Sequence, residues 1–338
     1  MKKAIIFGAN SYEHEISIVS AITLSNILED VKFIYVDFEH NFYLIDKKNM
    51  NAQFFAKKDF KKQKRIYISN GGFYEKSLFS QNKIDIDLII NTIHGKIGED
   101  GTMAALLDFF NIKYIGPRIN ASSISIDKHL TKLYANEVGV KSLKYYLNPT
   151  STQGLEFPLI LKPANLGSSI GIAIANNSSE FAYALDSAKE YDDKIIAEPY
   201  FENIQEINLA GYFDGEKIVF SKFEEPKKDG HLDFSQKYLV FKQKEIQEVK
   251  LSEEIQNKLK DAFSKIYMPL FKGALIRCDF FIKDNEIFLN EINPNPGSYA
   301  NYLFDDFEKE LNSLANSIKN NENIKENYSF LQKIVQAK

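Results

Sequence analysis

The stretch from Arg277 to Asn293 holds Arg277, Asp279, Glu291 and Asn293 between apolar runs. Side chains alternate across a strand, so Arg277 and Asp279 share a face, as do Glu291 and Asn293. If the chain turns through the three residues Asp284, Asn285 and Glu286, Asp279 falls opposite Glu291 and Arg277 opposite Asn293. Asn285 tolerates the left-handed backbone such a turn needs, though less readily than glycine. Two carboxylates and an amide oxygen converging there make a hard-oxygen site suited to Mg²⁺ bridging phosphates. The bland alternative is a solvated hairpin in which Arg277 is a salt-bridge partner. The flanks argue against it: Phe280, Phe281, Ile282, Phe288, Leu289 and Ile292 cover both faces, where a half-solvated hairpin would alternate.

A second constellation is the loop Gly167-Ser-Ser-Ile-Gly171, with Lys162 five residues ahead of it. Small residues let backbone N–H groups approach phosphate oxygens, and a lysine compensates charge. No Gly-Lys-Ser/Thr closes the loop, so it is not a Walker A motif, and a plain turn has the same composition. His94 lies just past a strand end, where open α/β sheets place ligand-binding residues, although a lone histidine is more often structural. Glu13 and Glu15 open a helix, where carboxylates also serve the helix dipole. In Asp127-Lys128, the acid can serve the next helix start and leave the lysine free for a ligand.

These residues need elements to hold them. Lys3–Phe7 reads as a strand ending at Gly8, followed by a helix from about Glu13. Strands at 32–37 and 86–92, a helix at 102–110 and a strand at 113–115 complete a first unit. Residues 38–81 show only weak patterning and read as irregular. A second unit has helices at 127–138 and 179–189 and strands at 159–162, 171–175 and 194–198. A third has a helix at 252–266 and strands at 274–282 and 286–292. At 338 residues the chain exceeds one ordinary core and suggests two or three compact units; the run of elements divides it at 1–116, 117–198 and 199–338. There is no internal repeat or low-complexity linker.

Composition excludes several classes. Apolar residues make up 44% and charged residues 26%, as in ordinary globular proteins. With 42 basic against 46 acidic residues, the net charge of -4 offers no basic surface for nucleic acid or an anionic membrane. The single cysteine, Cys278, rules out an internal disulfide, and its apolar neighbours suggest a buried thiol. The opening Met-Lys-Lys-Ala-Ile-Ile-Phe-Gly8 is too short an apolar run for a signal peptide, so a cytoplasmic enzyme is expected.

Taken in order, the pieces resemble the D-alanine–D-alanine ligases of the ATP-grasp superfamily. The resemblance runs through Ser11–Ser17, His94–Gly101, Ser125–Lys128, Lys162–Gly171, Lys237-Tyr238, Arg277–Asp279 and Asn290–Gly297. It implies an α/β (α+β) ATP-grasp fold of three domains, the first an open α/β sheet, with ATP between the second and third. It further implies two Mg²⁺ ions, replaceable by Mn²⁺, on Asp279, Glu291 and Asn293. Lys128, Lys162 and Ser169 would meet phosphates, Glu198 the adenine side and Glu206 the ribose. Glu13 would hold the first D-alanine's ammonium, linked to Ser168 and Tyr238. His94 would lie near that substrate's carboxylate and Lys237 near the transferred phosphate. Arg277 and the Gly297 amide would face the tetrahedral oxyanion. The product would be a peptidoglycan precursor and the assembly a homodimer. A lid is expected at 226–240.

Two features depart from the family pattern. Tyr302 stands where the family has a serine that meets the second substrate's carboxylate, and Pro199 at the hinge offers no backbone N–H. Three rival readings fit less well. Another ATP-grasp carboxylate–amine ligase would not need Glu13, Ser168 and Tyr238 together. A dinucleotide oxidoreductase lacks its Gly-x-Gly-x-x-Gly, since Ala9 and Asn10 follow Gly8. A silent nucleotide-binding protein leaves the retained charges unexplained.

Overall fold

The computed structural model describes residues 1–76, 80–152, 154, 156–226, 249–319 and 325–337. Lys237, Tyr238 and nearly all of the expected lid lie outside them. Three sheets carry the fold. The first has eight strands: β1 (Lys3–Gly8), β2 (Val31–Val36), β3 (Phe42–Ile45), β4 (Lys64–Ser69), β5 (Gly72–Lys76), β6 (Gln81–Lys83), β7 (Leu88–Asn91) and β8 (Tyr114–Ile115). Their order is β6-β5-β4-β3-β2-β1-β7-β8. β1 pairs in parallel with β2 and β7, and β7 with β8. β1 is buried at every position, as a central parallel strand covered on both faces must be.

The described residues between 38 and 76 are not irregular. They form β3, β4 and β5, which extend the parallel core as an antiparallel meander. The strands are short, and β4 exposes Lys64 and Arg65, so its one-sided burial left little period-2 signal. Their order comes from pairing with one another, which local sequence does not report.

The second sheet, β11-β10-β12-β9, joins β9 (Tyr146–Leu147), β10 (Leu159–Pro163), β11 (Ala173–Ala175) and β12 (Ile195–Pro199). The helix Ser178–Lys189 buries Phe181, Ala184, Leu185 and Ala188 against it. The third sheet, β14-β13-β15-β16, joins β13 (Gln205–Phe213), β14 (Ile218–Glu224), β15 (Ile276–Lys283) and β16 (Glu286–Asn293). The sequence reading had only the last two strands of this sheet. The helix Glu253–Leu270, capped by Ser252 on the Ile255 N–H, packs Leu259, Phe263, Ile266 and Tyr267 beneath it. Helices Ile119–Ile126 and Lys128–Glu137 place Ala121 and Ala135 in that same core. Another core spans the first and third sheets, joining Ile5, Phe7 and Phe33 to Tyr212, Leu275 and Tyr299.

The β15–β16 hairpin differs from expectation at its tip. Lys283 pairs with Glu286, so the turn is two residues, Asp284 and Asn285, both left-handed with φ of 52° and 60°. The pairs Arg277–Asn293 and Asp279–Glu291 still form, because a register shift follows Asp279. Phe280 pairs with Leu289, which leaves Asn290 as a bulged residue and restores the expected register at the site.

Candidate active site

The third sheet presents a row of polar groups across three strands. Asn208 on β13 pairs with Asp279 on β15, which pairs with Glu291 on β16. Asp279 is 3% exposed, so its charge needs partners. Arg277 supplies them as a fork, Nε to Oδ1 at 2.7 Å and Nη2 to Oδ2 at 2.8 Å. The Asn293 amide donates to Asp279 Oδ2 at 2.9 Å, which leaves Asn293 Oδ1 free to face a cation. Arg277 is thus a salt-bridge partner, as the bland alternative held, but of a buried carboxylate and not of a solvated one. Burial, joined by Glu291, raises Asp279 to about 6. Burial would also raise Glu291, but Lys128 and Lys162 outweigh it and hold that carboxyl below its ordinary range. Glu206 on β13 is raised to about 7 by burial and then by Asp279 and Glu291.

Facing this acidic row is a group of lysines. Asp127 caps the helix Lys128–Glu137, accepting from His129 and Leu130 N–H at 2.9 and 3.1 Å, and this leaves Lys128 free to turn into the site. Its ammonium donates to the Leu166 carbonyl. Lys162 on β10 reaches Asn290, Nζ to Oδ1 at 3.3 Å, and lies 3.6 Å from Glu198 Oε2. On an unbroken strand Asn290 would point away from Glu291's face; the bulge lets it meet Lys162. Lys132, one helical turn past Lys128, lies 3.3 Å from Glu198 Oε1. Lys132 was missed in the sequence, although its spacing from Lys128 puts both on one helix face.

The glycine–serine loop closes over Glu13. Ser168 and Ser169 are both left-handed, φ 54° and 60°, and the Ser168 hydroxyl donates to Glu13 Oε1. Glu13 begins the helix His14–Ile27, but its side chain caps nothing. It is 5% exposed, and its Oε2 has no hydrogen-bond partner among the described residues. Alanine in place of Gly95 (φ +72°) would bring a Cβ within 3.0 Å of that oxygen.

His94 is buried beneath the same corner. Its Nδ1 lies 3.4 Å from Glu99 Oε1 and its Nε2 3.0 Å from Ser20 Oγ, which also accepts from the Ser298 N–H at 3.0 Å. Burial pushes Glu99 up to about 7. Ser20 and Ser298 carried no sequence signal, since their partners lie far along the chain, and Glu99 stood inside the His94–Gly101 motif without a role of its own. Gly297 leads into three left-handed residues, Ser298, Tyr299 and Ala300, with φ of 48°, 56° and 48°. Such a run costs on the order of 1 kcal/mol or more per residue. Tyr299 holds it, because its hydroxyl donates to Asn91 O at 2.7 Å in the core beneath. A Cβ at Gly297 would meet nothing within 4 Å, so the space beside that amide is open. Tyr302 donates to Glu224 Oε2 at 2.8 Å, an oxygen that also accepts from Asn208 at 3.0 Å.

Among the described residues no group of three or more His, Cys, Asp or Glu is placed for a metal ion. The hard-oxygen set here is smaller, Asp279 and Glu291 with the Asn293 amide. That fits Mg²⁺, which keeps waters and phosphate oxygens in its remaining positions. Cys278 is buried and its thiol is pushed up by burial, as expected of a structural residue. No helix among the described residues is long and apolar enough to cross a membrane.

The arrangement is an anionic row opposite a cationic group, with a buried carboxylate and a buried histidine at one end. Known proteins resemble the chain along most of its length. The family model described as D-ala D-ala ligase N-terminus matches residues 2–117, and that described as D-ala D-ala ligase C-terminus matches 133–309. A D-alanine–D-alanine ligase of Campylobacter jejuni is 54% identical, over 99% of this chain and 98% of that protein. One from Wolinella succinogenes is 50% identical over 100% and 99%. The crystal structure of D-alanine–D-alanine ligase from Helicobacter pylori superposes with a TM-score of 0.85 at 42% identity, covering 95% of this chain and 100% of that one. The chain therefore belongs to the D-alanine–D-alanine ligase family, whose members join two D-alanines for peptidoglycan precursor synthesis.

Proposed function

We propose that ATP lies between the second and third sheets and phosphorylates the carboxylate of a D-alanine whose ammonium is held by Glu13. The observation that carries this reading is Glu13 Oε2: a buried carboxylate oxygen with no partner among the described residues fits an incoming ammonium. Ser168, bonded to the other oxygen, fixes its direction. Tyr238, the third member of that group, lies outside the described residues, as does Lys237.

ATP converts the carboxylate's poor leaving group, oxide, into phosphate, giving D-alanyl phosphate. Lys128 and Lys162 offset charge on the phosphate oxygens, and Ser169 offers its N–H in the same loop. Glu198 meets the adenine side and Glu206 the ribose. Bound Mg²⁺ would neutralise charge on the phosphoryl oxygens, held by Asp279, Glu291 and Asn293. The second D-alanine's amine attacks the acyl carbon, and phosphate leaves after the tetrahedral state. Arg277 and the Gly297 amide stabilise its oxyanion, and His94, fixed by Glu99, sits near the first carboxylate. The three units 1–116, 117–198 and 199–338 are proposed as the functional domains. A cytoplasmic location follows from the substrates, and a homodimer is supported by the family's frequent dimeric state.

The test is phosphate release from ATP and Mg²⁺ with D-alanine, L-alanine, or D-alanine plus D-lactate, with product masses, for wild type and Glu13→Gln. We expect release and dipeptide with D-alanine alone. Glu13→Gln should raise the KM of the first D-alanine by about 10–100-fold, the worth of a charge-assisted bond. An unchanged KM would remove Glu13 from the ammonium site.

A further inference from the structure

From the charges around Glu198 we infer that Lys132 is a positioning residue: it neutralises Glu198 and so leaves the Lys162 ammonium free for the nucleotide's phosphates. Two lysines share this one carboxylate, Lys132 at 3.3 Å from Oε1 and Lys162 at 3.6 Å from Oε2. The side chains of Lys132 and Glu198 are 1% and 2% exposed, so water cannot screen either charge. An ammonium buried so completely ordinarily makes several hydrogen bonds. Among the described residues Lys132 Nζ makes no hydrogen bond of good geometry, and its hold on Glu198, 3.3 Å away, is mainly one of charge.

The argument is one of charge count. With Lys132 in place, Glu198 is balanced by a cation that points nowhere else, and Lys162 keeps a net positive charge to offer. Without Lys132, Lys162 would be the nearest cation to a buried carboxylate. It would be drawn onto Glu198 and neutralised there, away from Asn290 and the β16 side. Holding Lys132 charged in this place works against its own desolvation, since burial lowers its pKa. A methionine would fill the space without that cost, so a residue kept only for packing need not be a lysine here. Tyr145 supports the ammonium from another side, with the ring centroid 5.5 Å from Nζ, and is itself fixed by His129 Nδ1 at 2.7 Å from its hydroxyl.

This inference rests on the proposed nucleotide site, and the experiment separates the two. Binding of ADP with Mg²⁺ is measured by titration calorimetry for wild type, Lys132→Met, Glu198→Gln and the double variant. Circular dichroism and thermal melting accompany each. Failure of wild type to bind ADP would overturn the site reading itself. If wild type binds, Lys132→Met should weaken ADP by about tenfold or more while folding normally, the scale of one charge-assisted contact. At saturating ATP its KM for D-alanine should stay within about twofold. The double variant, with no buried anion left to capture Lys162, should bind ADP about as tightly as Glu198→Gln alone. ADP affinity unchanged in Lys132→Met would overturn the inference. So would losses in the two single variants that simply add in the double. If Lys132→Met does not fold, the double variant decides: tight binding supports the role, and a folded double variant weaker than Glu198→Gln refutes it.

Discussion

The second and third sheets bring together two groups of side chains that are largely buried and oppositely charged. On the second-sheet side, Lys128, Lys132 and Lys162 act on the single carboxylate of Glu198. On the third-sheet side, Glu206, Asp279 and Glu291 lie around Arg277. Glu198 and Glu206 make the contrast plain. Burial would raise both, and it does raise Glu206, to about 7, with help from Asp279 and Glu291. At Glu198 the lysines Lys132 and Lys162 outweigh burial and hold the carboxyl below its ordinary range. Burial sets how strongly a charge is felt, and the neighbours set the sign. The proposed phosphate chain and its divalent cation would need such opposite charges, each face offsetting one part of them.

The largest effect should come from breaking the acidic face. Glu291→Gln should lower kcat on the order of 10²–10³-fold or more with the fold intact. Phosphate release and a thermal melt check this, and a fully active variant would sink the metal site. Breaking the cationic face should cost less. Lys162→Met should weaken ADP binding by about 10–100-fold, read by calorimetry, since one charge-assisted contact is lost. Unchanged binding would mean that Lys128 alone serves the phosphates.

The smallest effect sharpens the contrast, because it carries opposite signs on the two faces. It is read from urea unfolding against pH in EDTA. Glu206 binds a proton more tightly folded than unfolded, so its contribution is full below the ordinary value of 4.5 and lost as pH rises to about 7. Glu206→Gln should therefore become the more stable protein above that range, by roughly 1–3 kcal/mol. Glu198 runs the other way: its contribution is present above 4.5 and lost as pH falls through its depressed folded value. Glu198→Gln should accordingly be less stable than wild type near neutrality, with the gap closing in acid. The same slope in both variants would refute the contrast between the faces.

Much of this site was legible along the chain. The two-residue period put Arg277 with Asp279 and Glu291 with Asn293, and helix-capping chemistry separated Asp127 from Lys128. What was not legible depends on pairing at a distance. The 38–81 meander is ordered by neighbouring strands, and the hairpin reached the expected pairs through a bulge and a shorter turn.

The sequence by itself determined which residue types stand where, the local elements that carry them, and an ordered set of motifs spanning the chain. It could do so because alternation, capping and turn chemistry depend on near neighbours. Only the tertiary structure decided that Lys162 reaches Asn290 across 128 residues and that His94 meets Ser20 across 74. It alone brought Lys132 to Glu198, and it alone committed the Tyr302 hydroxyl to Glu224. Those outcomes rest on how sheets pack and on how far each charge is removed from water, and neither is a property of any short stretch of chain.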